Sequence, residues 1–152
     1  MAVTDTAPGA DDGAFHRPLR HTPAGQLSAD TAQTPGMERL EAVSGRRSGA
    51  EALWMGETHV AGGVASADHH HGASETAIYV VSGNPVFVFL ADGAESRVAT
   101  GPGDYVYVPP FTPHREENPG PDPAVVVIAR TTQEAVVVNL VALDGPPVDA
   151  GA

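Results

Sequence analysis

The stretch GVASADHHHGASETAIYVVSG, residues 63–83, decides how this chain is read. Side chains alternate faces along an extended strand, so His69 and His71 project to one side while His70 points to the other. Two imidazoles at that spacing stand roughly 6–7 Å apart and can converge on one ion. Glu75 would lie about 13 Å beyond His71 on a straight strand, so it joins them only if the chain bends, and Gly72 permits a bend. A second stretch, PPFTPHREEN over residues 109–118, delivers His114 behind a proline-rich turn. Taken singly, three adjacent histidines also suit a solvated loop, and a lone histidine after a turn suits a surface hydrogen bond. Zero cysteine means that any metal here must be held by nitrogen and oxygen.

Working outward, the histidines lie in a region of short apolar segments broken by turn residues. Strands are expected at Met37–Val43, Ala52–Val60, Ala77–Val81, Pro85–Leu90, Arg97–Ala99, Tyr105–Val108, Ala124–Arg130 and Ala135–Leu143. Clusters of Gly, Pro, Asn and Asp separate them, a spacing that indicates an all-β sandwich or barrel rather than βαβ units. Met37–Val43 also fits a helical period. Three stretches follow: a flexible arm over residues 1–36, a folded domain over 37–145 and a frayed end over 146–152. The arm is too poor in large apolar residues to offset its own chain entropy.

Composition narrows the function. Nineteen acidic residues face eight arginines and no lysine, for a formal charge of −11 in a chain of 152 residues. Such a chain is repelled by phosphate backbones and anionic lipid, which argues against nucleic-acid and membrane partners. No apolar run approaches the ~20 residues of a spanning helix, and no signal-peptide pattern opens the chain. A cytoplasmic location is the default expectation.

The two histidine stretches resemble the paired motifs of the cupin superfamily. The first motif asks for Gly, five residues, His-x-His, three or four residues, Glu, six residues and Gly. Gly63, His69, His71 and Glu75 match it, with Gly83 one residue late. The second asks for Gly, five residues, Pro-x-Gly, two residues, His, three residues and Asn. Gly103, Pro109, His114 and Asn118 match it, with Phe111 in place of the middle glycine. A residue other than glycine there implies a locally different turn.

The resemblance implies a jelly-roll β-barrel of two packed antiparallel sheets. It also implies one divalent transition metal per chain, held by His69, His71, Glu75 and His114. Zinc or iron is the favoured expectation, with manganese, nickel and copper as alternatives, since three imidazoles and a carboxylate do not by themselves choose among these metals. Residues 71–83 are similar to single-domain sugar-epimerase-like cupins, and more distantly to the zinc cupin modules of hydrazine-forming synthetases in natural-product pathways. The expected function is a small metalloenzyme acting on a small organic substrate by isomerase, lyase, condensing or dioxygenase chemistry. A non-catalytic metal-dependent binding or sensor module is the alternative. Strand alternation nominates Glu57, Tyr79 and Glu116 as catalytic candidates, and Arg130 as a carboxylate binder or a surface ion-pair partner. A two-fold homodimer is expected, strapped by residues from about 15 to 45.

Overall fold

The structure is a computed structural model that describes residues 17–133 and 137–149. The described residues form eleven strands: β1 Glu38–Val43, β2 Trp54–Val60, β3 Val64–Ala65, β4 His69–His70, β5 Thr76–Ser82, β6 Val86–Ala91, β7 Ala94–Ala99, β8 Tyr105–Val108, β9 His114–Asn118, β10 Ala124–Arg130 and β11 Val138–Asn139. Among the described residues, helix is confined to a 3-10 turn at Ala24–Gln26 and one turn, α1, at Gly45–Ser48. The strands build one sheet in the order β1-β2-β10-β5-β8 and another in the order β11-β4-β9-β6-β7, with β3 paired to β9. All pairings are antiparallel, and the two sheets pack as the expected jelly roll.

Period-2 alternation sets the phase of each sheet. On β2, Trp54, Thr58 and Val60 turn inward; on β5, Thr76, Ile78 and Val80 do; on β10, Ala124, Val126, Ile128 and Arg130 do. Trp54, Ile78, Val80, Phe87, Val108, Val126 and Ile128 close into one buried cluster. Each such side chain contributes roughly 1.5–3 kcal/mol by leaving water. Gly83 closes the turn after β5 at φ 78°, where an added Cβ would come within 2.8 Å of the Ala124 Cα.

Several boundaries differ from expectation. Met37–Val43 resolves as an edge strand, because its register with β2 from Glu38↔His59 onward satisfies its backbone. The arm is held by its own barrel from Thr22 on. Thr22 Oγ1 donates to Ala42 O at 2.9 Å, Ser28 bridges Glu41, and Ala67 N–H donates to Pro35 O at 2.8 Å. Residues 1–16 of that arm lie outside the described residues. The long strand expected over Ala135–Leu143 shortens to Val138–Asn139, with residues 134–136 outside the description. The chain then folds back: Val141 N–H reaches Pro146 O and Val148 N–H reaches Asn139 O, so pairing runs past residue 146 where fraying was expected. No helix of the described residues is long and apolar enough to cross a membrane.

Candidate metal centre

Three histidines meet inside the barrel. Strand β4 carries His69, whose register partner on β9 is His114. His71 follows at the end of β4, just before the turn in which Gly72 takes φ 56°. Ring centroids stand 4.4 Å apart for His69 and His114, 4.8 Å for His71 and His114, and 5.2 Å for His69 and His71. All three side chains are buried, and their ligating nitrogens lie within 4.8 Å of one another.

The remaining ring nitrogens are pinned. His69 Nδ1 is 2.9 Å from Ala67 O, and His114 Nδ1 is 3.0 Å from Thr112 O. A carbonyl only accepts, so both Nδ1 atoms carry hydrogen and both Nε2 atoms carry a lone pair. His71 Nδ1 lies 2.8 Å from Thr76 Oγ1, which can accept its hydrogen in the same way. His71 Nε2 and His114 Nε2 are buried with no hydrogen-bond partner. A buried polar atom without a partner costs about 1–3 kcal/mol, and a metal ion removes that cost at both.

Electrostatics keep the imidazoles neutral, as a ligand must be. Burial holds His69 and His71 well below the usual imidazole range and His114 down to about 4. The neighbouring histidines and the buried guanidiniums of Arg39 and Arg130 push in the same direction. The donor set therefore fits a divalent transition metal.

Glu75 is not part of this cluster. It is exposed, its backbone N–H donates to Thr131 Oγ1 at 3.0 Å, and its Oε1 accepts from Tyr107 Oη at 2.8 Å. Gly72 does bend the chain, but β5 starts one residue later in phase and turns Thr76 inward beside His71. The signal was present: four residues after His71, rather than three, place Thr76 at the motif's acidic position and Gly83 on its closing glycine without a mismatch. Phe111 also departs from expectation. The turn keeps its left-handed shape, with Phe111 itself at φ 57° and its N–H donating to Gly72 O at 2.7 Å.

Of the catalytic candidates, only Glu116 faces inward. It is buried two residues beyond His114 on the same face, with Oε2 lacking a hydrogen-bond partner. Burial raises its carboxyl to about 7, against the pull of Arg39 and Arg130. Glu57 points outward because Trp54 and Thr58 set the phase of β2, and it pairs with His59 at 2.9 Å. Tyr79 points outward because Ile78 and Val80 fill the core, and its ring lies 4.9 Å from that of Tyr105. Arg130 is neither on the surface nor solvated; its guanidinium carbon sits 5.2 Å from the centroid of the Trp54 ring. Arg39, absent from the sequence-derived candidates, is fully buried on β1. Its place at an edge strand hid it, since an arginine there ordinarily faces solvent.

Comparison with known proteins agrees with this architecture. The cupin domain family model matches residues 56–130. Oxalate decarboxylase from Bacillus subtilis at pH 4.6 superposes with a TM-score of 0.64 at 22% identity, over 73% of this chain and 29% of that one. Another structure of that enzyme, from work on its Mn(II) centres, gives 0.63 at 22% identity over 72% and 29%. The formate complex of Lactobacillus farciminis oxalate decarboxylase gives 0.65 at 18% identity over 76% and 34%. The chain thus spans about a third or less of the length of these neighbours, and the likeness is one of fold. No curated protein matches it in sequence. With both motifs, the jelly roll and the family match on one segment, residues 56–130 form a cupin domain.

Proposed function

We propose that this protein is a metal-dependent cupin enzyme that binds one divalent transition metal through His69, His71 and His114 and acts on a small organic substrate. The observation that carries the reading is the pair of buried, unpartnered Nε2 atoms on His71 and His114, in a cluster whose Nδ1 atoms are all engaged. Three protein ligands leave coordination positions open, and a bound ion would there supply Lewis-acid or oxygen-activating chemistry. Zinc and iron suit the imidazole set, and manganese, nickel and copper share that chemistry.

The chain's own residues supply the rest. Glu116, on the inward face of β9 with a free carboxylate oxygen, is placed to hold or pass a proton beside the histidines. Arg39 and Arg130 make the barrel interior cationic and so favour a substrate that carries or develops negative charge. The direct test is elemental analysis of the purified chain, followed by turnover assays on small acids, amines and sugars in air and without oxygen. Metal at one equivalent with turnover that Glu116→Gln abolishes supports the reading; a chain that takes up no transition metal ends it. Metal at one equivalent with ligand binding but no turnover would favour the sensor alternative.

A homodimer belongs to the same proposal, with its contact moved from the arm to the outer face of the five-stranded sheet. Tyr79, Val81, Tyr105 and Tyr107 expose apolar surface there, between 37% and 79% of each residue. Light scattering should show a dimer that Tyr105→Glu dissociates; a monomer at micromolar concentration defeats this part.

A further inference from the structure

A cavity of about 290 Å³ opens between β6, β8 and β9 at the end of the barrel where β7 and β8 are the outermost strands. Phe87, Phe89, Val106, Val108 and Pro109 make most of its wall, and Tyr107, Thr112 and His114 complete it. Phe87 and Val108 are themselves buried, 3% and 6% exposed, so the apolar wall is anchored in the core rather than draped on the surface. Val98 stands at the rim, 42% exposed. One member of the histidine cluster thus also borders a space lined mostly with aromatic and branched side chains.

That space has no structural need for a polar occupant. A cavity of about 150 Å³ lined by Leu, Ile and Phe stays dry and takes up benzene. The present one is larger and reaches a histidine of the proposed metal set. A wholly polar small anion would leave its apolar wall unused, whereas an aryl or branched alkyl group would bury against it.

We propose that this cavity binds the apolar part of the substrate, an aryl or branched alkyl group attached to a polar head that meets the histidine cluster. The assignment rests on the metal reading above for the polar head, and on the cavity alone for the apolar group. It makes the substrate class an aryl- or alkyl-substituted polar molecule rather than a compact dianion.

Two chelating probes that differ only in their tails, acetohydroxamate and benzohydroxamate, test it by calorimetry on the metal-loaded full chain. Benzohydroxamate is expected to bind at least about ten-fold tighter, from partial burial of its ring. Val98→Trp, which fills the rim from a half-exposed position, should remove that preference while metal content stays the same. Equal affinities, or a preference that survives Val98→Trp, overturn the assignment. A second readout needs no metal: 4-fluorobenzyl alcohol titrated into the metal-free chain should shift the methyl resonances of Val106 and Val108. A chain that takes up this alcohol at those methyls but holds no metal sinks the metal reading and leaves the cavity assigned to an apolar group. A chain that holds metal but shows neither methyl shifts nor tail preference sinks the cavity assignment and leaves the metal reading.

Discussion

Thr76 Oγ1 lies 2.8 Å from His71 Nδ1, in the place where the first cupin motif carries its glutamate. A hydroxyl there is no strong metal ligand, but it orients the imidazole proposed as one. Thr76→Val keeps the shape and removes the partner. Metal affinity should fall by roughly ten- to a hundred-fold, as for other partners of ligating histidines. Glu75→Ala should leave affinity unchanged, since that carboxylate contacts Tyr107 at the surface. A competition titration against a chromogenic chelator distinguishes the two, and equal losses would return Glu75 to the ligand set.

His114→Ala should empty the site, because it removes one of three converging nitrogens. His70→Ala should keep most of the metal. The His70 ring faces away from the cluster, its Nδ1 accepting from Gly72 N–H at 3.0 Å and its centroid 6.0 Å from that of Phe111. Metal-to-protein ratios for the two variants check this.

Phe111 holds a left-handed backbone at φ 57° with its side chain 64% exposed. That conformation costs a residue with a Cβ about 1–2 kcal/mol, and glycine avoids the cost at the expense of unfolded-state entropy. Phe111→Gly should therefore stabilise the chain by about 1 kcal/mol at most, read as a raised urea midpoint. A drop in midpoint would mean that the Phe111 ring contributes more against His70 than its exposure suggests.

The metal-free chain should lose stability on acidification. In the unfolded chain the three imidazoles titrate near their ordinary 6.5, whereas burial holds His114 at about 4 and His69 and His71 well below 6.5 when folded. The unfolded state then binds more protons, so stability is full above about pH 6.5 and falls as pH drops towards 4. Glu116, raised to about 7, acts in the opposite sense but is one group against three. Urea midpoints of chelated protein at pH 7.5 and 5 measure the slope, and His114→Gln should flatten it.

Much of this was legible in the chain. Turn residues and period-2 segments give most strands, and the His-x-His spacing puts His69 and His71 on one face because strand geometry allows nothing else. What sequence left open was phase. Glu57 and Tyr79 were nominated on strands whose alternation was right but whose inward face is chosen by the bulk of Trp54, Ile78 and Val80, a decision made by packing across both sheets. Glu75 and Thr76 differ by a single residue, the distance by which any strand exchanges its two faces. The short strands β3, β4 and β11 carry too few residues to show a period, and their partners lie far off in sequence.

The central place of β10 has a kinetic consequence. Arg130 is the register partner of both Trp54 and Thr76, so the five-stranded sheet has no middle until nearly the whole domain has been made. During synthesis β2 and β5 emerge with one edge each unpaired and wait for β10, the last strand of their sheet to leave the ribosome. A topology so rich in distant pairings folds slowly, on the scale of milliseconds to seconds, and passes through species with open strand edges. Truncations that end before Ala124 should accordingly aggregate rather than yield a smaller folded barrel, however well they preserve the histidines.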